Sequence, residues 1–358
     1  MSLAFSNTKS FNWYKLAFVL LALLYATLLV IRPELSPSDE YAFLPTLQSG
    51  KHFPMYGKDF PYYDAAELGR LAPLAGQEYN LVALVSNTPL AYFAFNALLL
   101  LCFSLIFVSI LKRLLPGHRY LYVIPILLFL TPGFTLTFFK LLYIDKSVLF
   151  YFSVFLLSFL VFQKTPKPIY LIAALIGANV AIYTKETAFL AIGAFTFAHM
   201  VFTWRTANTR IRLLDSLLLL SALLFIGIYA IEILPYRMSI APNFTNSGWM
   251  VMLKTILNYG LFSDPIVMLL LFPVTAWRVY AVLVRRSEVA HPIHDPLLAA
   301  GTTYASAYFI LNMYSPYYFL PVYLFALPPI FYFLTRDRLR NFALKSVVVA
   351  TACVLVVN

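Results

Sequence analysis

The sequence predicts an all-α fold, a polytopic bundle of about 10–11 transmembrane helices, on three observations. Hydrophobic residues fill 61% of the 358 positions and charged residues only 11%, whereas soluble domains are about a quarter charged. The apolar residues gather in runs near the ~20 that an α-helix needs to cross a bilayer. The runs are continuous, and a transmembrane β-barrel would show short alternating segments instead.

Taken in order, spans are expected near residues 12–31, 89–111, 120–139, 147–163, 168–183, 188–204, 213–234, 264–284, 297–313, 317–334 and 343–357. The first, from Trp13 to Ile31, is too long for a signal-peptide core and has no small-residue cleavage site, so it reads as a retained helix. Pro125 and Pro132 interrupt the third, and the fifth is short. The last ends at the C-terminus without a polar flank, which reads as a short or truncated chain. Cys102 and Cys353 lie inside apolar segments and read as buried thiols. The chain is expected to be one transmembrane domain over 1–358, with residues 32–88 as its first extracytoplasmic loop.

Charge supplies the orientation. With the N-terminus cytoplasmic, 17 of the 26 Lys and Arg fall on the cytoplasmic side, as the positive-inside rule requires. The net charge of +11 is therefore accounted for by span ends, and a nucleic-acid partner is not implied. Of the 15 Asp and Glu, 11 fall on the opposite side. Acids contribute little to orientation, so this asymmetry points to function.

Residues 32–88 form the one large polar segment, and loops of that length carry function or helices of their own. Ser38 before Asp39 and Glu40 reads as a helix start with acids in the first turn, running to Gln48. A second start lies at Tyr63-Asp64, running through Glu67 to Leu71. Both are expected to lie on the outer membrane surface.

Four turns on that side carry polar residues at or near membrane depth: Ser38-Asp39-Glu40, Tyr143-Ile144-Asp145-Lys146, Tyr183-Thr184-Lys185-Glu186-Thr187, and Tyr314 to Pro321 with Tyr317 and Tyr318. They could converge on one cavity, and ionisable groups near a bilayer are candidates for function because they are costly to keep there. Each has a plainer reading. Asp39 would serve as a cap, Asp145-Lys146 as a helix start, and Lys185-Glu186 as a structural ion pair. The late tyrosines would form an interfacial belt. The five histidines show no metal-ligand spacing, and His291 and His294 read as cytoplasmic loop residues.

In combination these features resemble the GT-C superfamily of membrane glycosyltransferases. The resemblance rests on Asp39-Glu40 after the first span, on the Gly69-Arg70-Leu71-Ala72-Pro73-Leu74 segment, on the Thr184-Lys185-Glu186-Thr187-Ala188 turn, and on Tyr317-Tyr318-Phe319-Leu320-Pro321. The layout lacks the soluble C-terminal domain of many members. The family implies transfer of a sugar from a polyprenyl-phosphate-linked donor to a lipid, glycan or protein acceptor. The reaction would take place on the extracytoplasmic face of a bacterial inner membrane.

These residue types suit that chemistry. A hydroxyl acceptor needs a base, and Asp39 is the choice, with Glu40 orienting the acceptor or exchanging roles with it. The leaving phosphate needs cations: Lys185, Arg237 and Lys146 near membrane depth, and Arg70 from the loop, with Glu186 holding Lys185 or touching the sugar. A single base with direct displacement inverts the anomeric centre. Asp145, Asp64, Tyr317 and Tyr318 are further candidates. Asp39, Glu40 and Asp145 could ligate magnesium or manganese, although the reading leans towards no metal. Helices around Phe150 to Phe162 and Tyr304 to Phe309 could line a groove for the lipid tail, or simply face membrane lipids. Two other functions remain open at this point: a transporter or flippase of a lipid-linked saccharide, and a non-catalytic subunit of a glycan-assembly complex.

Overall fold

The computed structural model describes residues 12–33, 49, 70–118, 121–235, 249–258, 266–311, 313 and 315–335. The described residues form helices and no β-strand. In chain order these are α1 (Trp13–Ile31), α2 (Gln77–Ala83), α3 (Pro89–Leu114), α4 (Val123–Phe129), α5 (Pro132–Phe139), α6 (Asp145–Lys164) and α7 (Pro168–Thr184). They continue with α8 (Ala188–Thr203), α9 (Thr209–Ile228), α10 (Trp249–Asn258), α11 (Phe272–Val279), α12 (His294–Ile310) and α13 (Leu320–Leu334). Wider π turns extend α9 through Ile233 and flank α11 from Val267 to Val284, and a 3₁₀ turn, Pro316–Phe319, leads into α13.

Six of these segments are long and apolar enough to cross a membrane: Trp13–Ile31, Pro89–Leu114, Asp145–Lys164, Thr209–Ile233, Val267–Val284 and Pro316–Leu334. The chain is an all-α integral membrane protein. The expected span at 343–357, the expected surface helix at 38–48 and residues 63–69 of the second lie outside the described residues; Arg70 and Leu71, the expected end of that second helix, are not helical.

Burial identifies the centre. The Asp145–Lys164 and Pro316–Leu334 segments are each 72% buried, against 22% for Trp13–Ile31 and for Thr209–Ile233. α6 and α13 therefore lie near the centre, and α1 and α9 present most of their surface outward. α7 packs along α6, α12 lies between α8 and α13, and α3 joins α1 to α6. Lipid tails are as apolar as leucine, so such contacts depend on close fit and small residues. α7 meets α6 through Ala174, Gly177, Ala178 and Ala181, all buried. A Cβ on Gly177 would lie 2.7 Å from the Phe155 backbone nitrogen.

The expected third span is two short helices. Thr131 interrupts it: its hydroxyl accepts a hydrogen bond from the Phe134 N–H at 3.3 Å, and Pro132 opens α5. A hydroxyl cap followed by proline at the first position starts a new helix. At about 1.5 Å per residue, helices of 7 and 8 residues reach roughly 10–12 Å, well short of a hydrocarbon core.

Two expectations are corrected, the lipid-tail groove and the placement of His294. Phe152, Phe155, Phe159, Phe162, Tyr304, Tyr308 and Phe309 are buried. They pack ring against ring, as in the edge-on pair Phe155 and Phe195 at 5.5 Å. Strong apolarity alone does not distinguish a groove-lining or lipid-facing side chain from a packed one. His294 is likewise not a loop residue. It opens α12, is buried, and stacks on Tyr332 at 3.9 Å.

The closest approach of backbone sets a test. A Cβ on Gly133 in α5 would stand 2.5 Å from the Pro316 carbonyl oxygen. Gly133→Val should destabilise the protein by about 1–3 kcal/mol, the usual cost of overpacking, seen as a lowered melting temperature in detergent. An unchanged melting temperature would mean that α5 and the 316–319 turn do not touch.

Candidate functional site

Of the four polar turns, the structure brings three together at one end of the bundle: 143–146, 183–187 and 315–321. Asp39, Glu40, Asp64 and Arg237 lie outside the described residues.

The 183–187 turn is built by the exit from α7. Lys185 leaves the helix in an extended conformation (φ −147°, ψ 125°), and its N–H still reaches the Ala181 carbonyl. The next helix begins at once, with the Ala188 N–H donating to the Lys185 carbonyl at 2.9 Å. The side chains of Lys185 and Glu186 diverge from this turn. Lys185 points inward and pairs with Asp145, the first residue of α6, and both are buried. The ammonium also lies 4.6 Å from the centre of the Tyr318 ring and 5.3 Å from that of Tyr308, in range for cation–π attraction.

Glu186 points to the chain ahead of α2. One carboxylate oxygen accepts the Leu71 N–H at 2.7 Å, and the other faces the Arg70 guanidinium at 3.5 Å. The Leu74 N–H donates to the Tyr183 carbonyl at 3.0 Å. The Arg70–Leu74 segment is thereby sewn onto the Lys185 turn, and a second, half-exposed ion pair sits beside the buried one.

Lys146 has another task. Its ammonium donates to the carbonyls of Lys140 (2.7 Å), Leu141 (2.7 Å) and Tyr143 (3.0 Å), with the Thr137 carbonyl at 3.5 Å. These lie at and beyond the end of α5, where helical carbonyls lack partners. Lys146 was expected to face donor phosphate, but its three donors are directed to the backbone. The loop is tied further by the Tyr79 hydroxyl, which donates to the Leu141 carbonyl at 2.5 Å, and by the Asn96 amide on the Phe138 carbonyl at 3.2 Å.

That loop carries Tyr143, which stacks on Tyr317 with ring centres 4.0 Å apart. Tyr318 stacks on Tyr308 at 5.0 Å. The Tyr308 hydroxyl lies 2.6 Å from the Thr187 hydroxyl and donates to the Tyr304 hydroxyl at 3.2 Å. The buried ion pair thus has an aromatic wall with hydroxyls set into it. Tyr143, Tyr317 and Tyr318 are only partly buried, so the wall has an accessible rim.

Glu78 was not singled out in the sequence. It lies in the first turn of α2, and its carboxylate accepts the Ser147 hydroxyl at 2.5 Å. Burial pushes its carboxyl above the usual carboxylate range, against the opposing effect of the Ser147 hydrogen bond. Its sequence signal was an acid two residues after a glycine, Gly76, which the structure places at the helix start with a left-handed φ of 72°. Among the described residues, no three His, Cys, Asp or Glu side chains meet as a metal site.

Two measurements follow from this geometry. Asp145→Asn or Lys185→Met alone leaves one buried charge unpaired and should cost about 3–5 kcal/mol, while the double variant should recover most of that loss. Thermal unfolding of the four proteins in detergent checks this, and wild-type stability in both single variants would mean the pair is solvated. For Glu78 the folded-state pKa lies above the unfolded one. Its contribution to stability is therefore full below the ordinary carboxylate pKa and is lost as pH rises through the folded value. Glu78→Gln should flatten that fall in melting temperature between acid and neutral pH; an identical slope in the variant would contradict it.

No protein-family model, curated protein or solved structure matches the chain.

Proposed function

We propose that the protein is a membrane glycosyltransferase of the GT-C type, which moves a sugar from a polyprenyl-phosphate-linked donor to a lipid, glycan or protein acceptor. The Lys185 end of the bundle would face the extracytoplasmic side. The observation that carries this reading is the convergence of Lys185, Asp145, Glu186 and Arg70 beneath a partly accessible rim of tyrosines. A sugar on a lipid phosphate presents an anion, a polar ring and an apolar chain, and this end of the bundle offers cations, stacked rings and hydroxyls at the membrane edge.

In the proposed reaction, the acceptor hydroxyl gives its proton to the Asp39 carboxylate. Its oxygen bonds to the anomeric carbon from the face opposite the phosphate. The bond from the anomeric carbon to the phosphate oxygen breaks, and its electron pair stays on the phosphate. Direct displacement of this kind inverts the anomeric centre. Arg70, beside Glu186 at the accessible edge, and Lys185, beneath the tyrosines, supply positive charge to the phosphate as its negative charge grows. Asp145 holds Lys185 in place, and Glu186 holds Arg70. Tyr317 and Tyr318 offer ring faces and hydroxyls to the sugar.

The test begins with the lipids that co-purify with the full chain. Mass spectrometry should find a polyprenyl-phosphate sugar among them. In liposomes supplied with that donor and an acceptor, Asp39→Asn should slow transfer by about 10²–10⁴-fold, the range for loss of a general base, with an unchanged melting temperature. Transfer at the wild-type rate would remove Asp39 from the mechanism. Donor movement across the bilayer without an acceptor, and no transfer, would assign transport instead.

A further inference from the structure

A separate cavity lies at the other end of the bundle. α8 runs 16 residues from Ala188, so its far end stands about 24 Å along the helix axis from the Lys185 turn. There a cavity of about 680 Å³ opens between α8 and α9. Phe197, Val201 and Phe202 of α8 and Leu219 of α9 form its apolar wall, with Trp204, Arg205 and Thr206 at its head. Leu219 stands ten residues into α9, about 15 Å from its start. The cavity is therefore as deep as one leaflet, half of a ~30 Å hydrocarbon core.

The head of the cavity is rigid and basic. The Thr206 and Ala207 N–H groups both donate to the Thr203 carbonyl, at 2.9 and 2.8 Å. Asn208 caps α9 through the Ile211 N–H at 2.9 Å. Arg212 donates to the Trp204 carbonyl at 2.8 Å and lies over the indole, 5.6 Å from its centre. Arg205 is exposed and has no hydrogen bond or ion pair among the described residues. Among the described residues, no carboxylate lines the cavity. The nearby Asp215 is buried on His199 at 2.9 Å.

We propose that this groove binds one anionic phospholipid, with its phosphate on Arg205 at the cavity head, Arg212 beside it against the lining Trp204, and an acyl chain along Phe197, Val201 and Leu219. The charge of the head, the apolar wall and the one-leaflet depth each match a part of that molecule. Basic pockets between helices on the cytoplasmic side recognise anionic head groups in this way. The positive-inside distribution of the chain puts this end on that side. A zwitterionic lipid would satisfy the wall but would place a cation beside the two arginines. The site is independent of the proposed transfer reaction.

The test is native mass spectrometry of the full chain in mild detergent, titrated with phosphatidylglycerol, with phosphatidylcholine of the same acyl chains, and with glycerol phosphate. Phosphatidylglycerol should bind about 5–30-fold more tightly than phosphatidylcholine, at roughly fivefold per arginine. Arg205→Ala should weaken phosphatidylglycerol about fivefold and leave phosphatidylcholine unchanged. Leu219→Trp, which fills the groove, should weaken both lipids. Arg205 is exposed, so its variant should keep the wild-type melting temperature and stays informative even if Leu219→Trp fails to fold. Equal binding of the two lipids, or undiminished phosphatidylglycerol binding by Arg205→Ala, would overturn the proposal. So would glycerol phosphate competing as well as the intact lipid, since that would show an anion site without a groove.

Discussion

The pairing of Lys185 with Asp145 is the constraint on which the Lys185 end of the bundle depends. Each charge is buried within the protein, where an unpaired charge is strongly destabilising. Asp145 begins α6, and Lys185 follows the last residue of α7. The pair therefore pins the two helices at one end, while the small residues of α7 bring their backbones together below. Tyr308 from α12 and Tyr318 from the turn before α13 close over the ammonium. Two regions distant in sequence, 145–185 and 308–318, are thereby held in one arrangement, and Glu186 fastens the Arg70 segment to the same turn.

The same rule operates at the other end. Arg278, buried on α11, donates to both carboxylate oxygens of Asp295 at 2.7 Å and to Glu288 at 2.5 Å. His199 bridges Asp215 and Gln163, each at 2.9 Å, and so joins α6, α8 and α9. These buried charged groups thus meet partners on other elements, as low-dielectric surroundings demand. This leaves the two ends chemically distinct. The Lys185 end has mixed charges under an aromatic rim, and the opposite end has exposed arginines around an apolar groove.

Much of the bundle was legible in the sequence. Span positions follow from the length of apolar runs, and Trp13–Ile31, Pro89–Leu114 and Pro168–Thr184 agree with them within a few residues. Proline marked the weak point of the third span, but only the Thr131 cap turned the interruption into two separate helices. α2 was missed because its seven residues are too few for a period to emerge. At the site, Lys185, Glu186, Asp145, Tyr317 and Tyr318 stood out as polar or aromatic residues in turns between apolar runs. Their partners did not. Asp145 and Lys185 are 40 residues apart, and Glu186 and Leu71 are 115 apart. Nothing local distinguishes Lys146, which satisfies backbone carbonyls, from Lys185, which faces a carboxylate.

The amino-acid sequence alone determined that this chain is helical and lives in a membrane, because helix length and apolarity are local properties set by the solvent the chain must satisfy. It also determined which turns carry charge. Tertiary structure decided which charges meet, which aromatic residues are core and which face outward, and where a cavity opens between α8 and α9. Those outcomes depend on side chains brought together by packing across tens of residues. No periodicity in the chain records them.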